Sequence, residues 1–416
     1  TQITCTAKVV ANVQSATPIF VGGGVDNSWT TPTNWNLNRV PNAEDSVIIN
    51  APIEITDGAV EVLGMTINAG GAIHIAPTGG LTVGKGGVAG VAANNITIDN
   101  NTQGVGFLRV HPAAQSRPAN VTINYTTRGK SGNPRDEVWQ YVGAPGENMS
   151  MTNEGVLIYH WSEQKGWQKA TTAMTPFVGY AISRTTAGNN TYAITTKPVF
   201  DNHTIELTRT PSGMDGSNLF VNSYLAPIDL AKFELGVDIV GDVEQTFYLF
   251  NSGSWEDWQG NGGSNNNGFV AGNERGQYFA ITPLSVKLLD SNIEQTVIPS
   301  MQGVYVIAKD NGASIKLNYN KHVYKAEATN MNQHMRAPKI LDEDFMRVRM
   351  QVGSQNCGSD RLYVIQYEAG TQGFDNGYDA RNILAEGLAN IYTSEQDGQM
   401  EISVSNKIDE TYIGFA

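Results

Sequence analysis

Short apolar runs broken by Gly, Asn, Asp or Pro restrict this chain more than any other feature. A helix does not survive such punctuation, whereas a strand of four to eight residues needs no more length than these runs provide. The first half carries them at 53–56, 60–67, 72–75, 81–83, 96–98, 107–110 and 121–125. Many lie roughly 8–12 residues apart, the spacing of all-β folds. Within them Ile73-His74-Ile75 and Ile96-Thr97-Ile98 alternate apolar and polar residues, so each strand can bury one face and leave the other wet. Composition agrees. Gly is frequent, at 44 residues, and charged residues make up only 16%, a balance that disfavours long charged helices.

Glycine corners between short strands suit the stacked rungs of a parallel β-solenoid, each rung burying its apolar face against the next. A sandwich is the alternative, because the period is irregular. Trp29 and Trp35 are expected to cap one end of the stack; as exposed residues they would be ligand platforms. From Asp136 onward the strands become longer and aromatic-rich, as in 138–142, 157–161, 177–182, 216–230, 247–250, 276–280, 303–308 and 314–319. That pattern predicts antiparallel sheets packed face to face. The fold class expected is therefore all-β: a short parallel solenoid over 1–130, then antiparallel β-sandwich structure over 131–325. A polar linker follows over 326–340. The start of a further sandwich spans 341–416, and its length of about 75 residues is short for a free-standing one, so the natural chain is expected to continue beyond Ala416.

A net charge of −13 with no basic stripe argues against nucleic acid and against anionic membranes. No apolar run is long enough to span a bilayer. No signal-peptide pattern opens the chain, so an exported form is expected to be mature or trimmed. Cys5 and Cys357, the two cysteines, show no metal-ligand spacing. A long-range disulfide and two separate thiols both fit them, and the compartment is not fixed by them.

The residues resemble a group of large exported proteins of the Bacteroidetes, many of them cargo of the type IX secretion system. Trp29-x5-Trp35 followed by Val40-Pro41-x3-Asp45-x-Val47-x-Ile49 is similar to the opening rung of their short solenoids. Gly216-Ser217-Asn218-Leu219 through Pro227-Ile228-Asp229-Leu230 resembles their GWNLIGNPYPSAIDL segment, departing at Phe220 and over Ser223 to Ala226. Gly276-Gln277-Tyr278-Phe279 and Gly303-Val304-Tyr305-Val306 are both similar to their GQGFFV strand. Asp360-Arg361-Leu362-Tyr363, with the turn from Gly373 to Ala380, resembles the start of their last sandwich. The resemblance implies a secreted or cell-surface protein, outer membrane-associated, that acts in adhesion or structure. It also implies contact with the secretion machinery during export.

Chemistry is sparse. The six histidines are scattered, and no HExxH pair, Gly-x-Ser-x-Gly elbow or phosphate-binding Gly-rich loop occurs. His74 is expected on a solvated strand face. A polysaccharide-degrading enzyme would need paired carboxyls, for which Glu44-Asp45 and Glu54-Asp57 on adjacent rungs are the candidates; rung-edge turns explain them as well. Asp375, Asn376 and Asp379 could supply oxygen ligands to calcium, and a turn held by Asx hydrogen bonds is the competing reading. Trp161 and Trp167, and above all Trp255 and Trp258 at the head of a long polar loop, are candidates for stacking on glycans. Ser46, within Asp45-Ser46-Val47, fits the O-glycosylation signal of the same bacterial group. The expectation is a non-catalytic structural or adhesive protein without a cofactor, calcium aside. The alternatives are a carbohydrate-binding or polysaccharide-degrading protein, and an accessory subunit of an outer-membrane surface complex whose partners are surface glycans or other surface proteins.

Overall fold

The computed structural model describes residues 16–101, 103–127, 139–150, 156–170, 173–184, 190–251, 277–288, 297–323, 346–354, 358–384, 388–408 and 411–416. Trp255, Trp258, Cys5, Cys357 and the expected linker over 326–340 lie outside them. The described residues form an all-β structure with several antiparallel sheets.

The N-terminal strands are β1 (Ile19–Phe20), β2 (Ser46–Ile49), β3 (Pro52–Ile55), β4 (Gly58–Ile67) and β5 (Ala72–Ile75). They continue with β6 (Gly79–Ala89), β7 (Ile96–Asn101), β8 (Gly104–Val105), β9 (Phe107–Val110) and β10 (Val121–Thr127). The chain alternates between two sheets. One is ordered β1-β2-β4-β6-β9, and every pairing in it is parallel. The other runs β3-β5-β7-β10, also in parallel. Register sets Ile53 beside Ile73 and Ile73 beside Ile96, so the isoleucines of successive strands stack on one buried face. At the corners, Asn68 donates to Asn50 Oδ1 at 2.8 Å and accepts through its carbonyl from Gly71 N at 2.9 Å. Side-chain and backbone bonds of this kind satisfy the polar groups that a corner removes from the ladders.

The later chain joins this part directly. Strand Asn190–Thr196 pairs antiparallel with β10 over seven residues, from Val121 opposite Thr196 to Thr127 opposite Asn190. Strands Gln140–Val142, Tyr180–Arg184, Val156–Ser162 and Gly166–Lys169 make an antiparallel sheet. Strands Ser217–Val221, Gly303–Ala308, Val243–Asn251 and Gln277–Ile281 make another. The two GQGFFV-like segments thus flank one strand, Val243–Asn251, from opposite sides. One buried apolar cluster runs from Phe20 to Val323 and takes in both parallel ladders and these sheets.

Two local expectations change. The run 314–319 ends as a strand at Leu317, and Tyr319–His322 is a short helix. Asn318 caps it, its Oδ1 accepting from Lys321 N at 3.1 Å, and capping favours the turn over continued strand. Of 216–230, only Ser217–Val221 and Ile228–Asp229 are strands. Between them buried Asn222 gives its amide hydrogens to the carbonyls of Ala226 and Ile298, at 3.0 and 2.9 Å, and accepts from Tyr224 N at 3.0 Å. The last sheet is ordered Met346–Ser354, Gly358–Gln366, Gly398–Ser405, Ile391–Glu395, Ile413–Phe415. Its pairing of Gly358–Gln366 with Gly398–Ser405 is parallel and the rest of that path antiparallel.

Candidate functional site

The Trp29 and Trp35 loop is a core plug. Both indoles are buried, at 0% and 1% exposure, which removes the exposed-platform alternative. They meet edge to face at 5.0 Å, Trp35 also meets Phe20 at 5.3 Å, and Trp35 Nε1 donates to the Trp29 carbonyl at 2.9 Å. Buried Asn34 holds the loop, accepting from Gly24 N at 2.8 Å and donating to Ser28 O at 2.9 Å and Asp26 Oδ1 at 3.1 Å. The Ser28 amide, followed by Thr31 and Asn34, keeps the Asp26 carboxyl below its ordinary range.

Of the acidic candidates of the first sheets, Asp45 and Asp57 are occupied locally, while Glu44 and Glu54 are exposed. Asp45 forms a two-pronged pair with Arg39 at 2.6 and 2.7 Å and accepts from Asn42 N at 2.9 Å. The Arg39 guanidinium is the largest influence holding Asp45 below the usual carboxylate range. Asp57 accepts from Gly58 N at 3.0 Å. Ser46, next to Asp45, opens β2 and is exposed. His74 stands on the outward face of β5, with Nε2 3.0 Å from Asp99 Oδ2. Asp99 in turn accepts from Asn124 Nδ2 at 2.8 Å, so these groups form a polar ladder across the strands.

The Asp375 to Asp379 turn is a seam between the last sheet and the sheet before it. Asp375 accepts from the backbone amide of Thr371 and, at 2.9 Å, from its hydroxyl. Asp379 Oδ2 accepts from Asp375 N at 2.6 Å and Oδ1 from Val404 N at 2.5 Å. Asn376 reaches across the seam, accepting from Gln245 N at 2.8 Å and donating to Val243 O at 2.9 Å. Gly377 has φ +98°, a left-handed backbone that favours glycine, and a Cβ there would lie 2.8 Å from Leu235 Cδ1. Burial pushes the Asp379 carboxyl up to about 7, against the two amides that donate to it. Among the described residues, no three His, Cys, Asp or Glu side chains gather in a metal-sized cluster.

Trp161 and Trp167 belong to an aromatic cluster at the face of the Val156–Ser162 sheet. They meet edge to face at 5.0 Å, and Trp161 Nε1 donates to Ser217 O at 2.6 Å. Tyr141 stands at the centre, 5.4 Å from Trp167, 5.5 Å from Tyr305 and stacked on Phe250 at 4.8 Å. Its hydroxyl is 3.0 Å from that of Tyr278. Burial raises the ionisation of Tyr141 above, and of Tyr278 and Tyr305 far above, that of ordinary phenols, so all three are neutral hydrogen-bonding groups. Sequence reasoning named the two tryptophans but missed Tyr141, because its role depends on strands more than a hundred residues away.

No helix among the described residues is long and apolar enough to cross a membrane. The minor fimbrium subunit Mfa5 of Porphyromonas gingivalis is 29% identical over 299 residues, an alignment that covers 67% of this chain and 23% of that protein. The chain therefore spans about a quarter of the length of the curated relative it matches. No solved structure gives a significant match. A family model described as "Domain of unknown function (DUF8693)" matches residues 20–411. With that match extending from β1 to the last sheet, the chain belongs to the DUF8693 family.

Proposed function

We propose that this chain is part of a non-catalytic cell-surface protein of a Bacteroidetes-type bacterium, with a structural or adhesive role in a surface appendage. The observation that carries the proposal is the 29% identity, over 299 residues, to a protein named as a minor fimbrium subunit. The construction suits the role. Asp45, Asp57, Asp99, Asp375 and Asp379 are taken up by turns, ladders or seams, the use a structural scaffold makes of polar groups. The proposed partners are other surface proteins.

Finer parts of the reading have separate supports. A short solenoid over 1–130 is favoured by the two parallel ladders between which the chain alternates. A boundary near 130 is favoured by the change from parallel to antiparallel pairing, and one between 325 and 341 by the separate last sheet. Export by the type IX route rests on the ordered motifs of the sequence. O-glycosylation at Ser46 is favoured by its exposure. Calcium at Asp375, Asn376 and Asp379 is an alternative to a self-sufficient turn; a melting temperature raised by added calcium would favour it. A carbohydrate-binding role is the second reading, favoured by the aromatic cluster around Tyr141.

Mechanical shearing of native cells tests the main proposal. The chain is expected in the sheared filament fraction, bound to other surface proteins. Recovery only from the soluble interior after lysis would overturn it.

A further inference from the structure

Two cavities share one aromatic wall. The first, of about 360 Å³, lies where the second parallel sheet meets the sheets that follow. The β7–β8 hairpin gives it Asn100, Asn101 and Gln103, Gln140 faces it from its strand, and Gln302 faces it from just before strand Gly303–Ala308. The second, of about 320 Å³, is walled by Trp139, Tyr159, Trp167 and Ala181. Tyr141 and Phe250, stacked with their planes 29° apart, line both. Among the described residues none of those lining either cavity is charged, in a chain of net charge −13.

That lining selects a chemistry. A carboxamide offers a donor and an acceptor side by side, which matches the hydroxyls of a sugar. An aromatic face covers the apolar C–H face of a pyranose. Among the described residues the lining supplies no ion partner for a sulfate, carboxylate or ammonium group, which favours uncharged ligands. Several amides are fixed in advance. Gln140 Oε1 accepts from the Tyr125 hydroxyl at 3.0 Å, Asn101 Oδ1 from Gln103 N at 2.8 Å, and Gln302 Nε2 donates to Gly303 O at 2.9 Å. Groups held in place before binding lose less entropy when the ligand arrives. The volumes, about 360 and 320 Å³, are at the lower end for small-ligand sites, which suits a short stretch of glycan.

We infer that the paired cavity binds an uncharged oligosaccharide, with a pyranose ring against the Tyr141–Phe250 wall and its hydroxyls on the carboxamides. The inference rests on the adhesive reading and gives it a ligand class.

The test is a printed array of neutral, sialylated and sulfated oligosaccharides, probed with the full chain and with Gln103→Ala and Trp139→Ala. Circular dichroism checks that each variant is folded. Gln103 is exposed on a hairpin, so its variant keeps the test valid if Trp139→Ala does not fold. Binding to neutral glycans is expected, weakened about tenfold in each folded variant, a change of roughly 1.4 kcal/mol. Silence across the neutral set, binding to anionic glycans alone, or unchanged binding by the variants would overturn the inference. Beads coated with the chain separate the two readings. If they adhere equally to native and periodate-treated cells, the adhesive reading stands and the glycan inference falls. If neutral glycans bind but beads adhere to no cell, the reverse holds.

Discussion

Asp45 shows how this chain uses its acids. A carboxylate at 7% exposure needs a partner, and Arg39 supplies both prongs. Arg39→Ala leaves that charge without its counter-ion, and is expected to lower the urea-unfolding midpoint with the slope unchanged. Trp35→Ala is expected to cost about 3–5 kcal/mol by the same measurement, because a large buried side chain is replaced by a cavity beside Phe20 and Trp29. The paired tryptophans were legible in sequence as two large apolar residues six positions apart in an otherwise polar loop, and the structure buries both. Asn34, which holds that loop through three short-range partners, was not legible. A buried asparagine looks the same in sequence as a surface one.

Strands were read well from alternation, and their partners were not. The isoleucines of 73–75 and 96–98 announce a buried face, but nothing local says that the neighbours run parallel or in which register. That depends on corners some twenty residues apart. Gly80 on β6 is a case in point. It sits opposite Phe107 of β9 in register, and a Cβ there would lie 2.2 Å from the Phe107 ring. Phe107 is itself buried and has little room to retreat. Gly80→Ala is therefore expected to destabilise by about 1–3 kcal/mol through overpacking, read as a lower urea midpoint with an unchanged slope. The helix at Tyr319–His322 was missed for a related reason. The apolar run invited a strand, and the Asn318 cap stopped it. The candidate glycan wall shows the same limit: Trp161 and Trp167 stood out as residues, while Tyr141, Phe250 and the carboxamides converge only through the fold.

Across the whole molecule, buried polar groups join the last sheet to the rest. Glu401 accepts from Ala280 N at 3.0 Å, and Asn376 bridges to Gln245 and Val243. Asp379 stands behind that seam with its carboxyl raised from 3.8 to about 7 by burial. Between those values the folded chain holds a proton that the unfolded chain has released. Folding stability from this group is thus fullest below about pH 4 and is lost as pH rises through about 7. Urea unfolding at about pH 5 and pH 8 is expected to show the Asp379 contribution lost at the higher pH, against an opposite gain from His203 and His322, whose ionisation burial lowers. Asp379→Asn, though less stable overall for want of a second acceptor, is expected to abolish that loss. The central claim, a structural or adhesive role at the cell surface, is reached most directly by antibody labelling of intact cells of the native organism. Label on the outer surface of intact cells, removed by brief protease treatment, is the expected result; label that appears only after the cells are broken would contradict the claim.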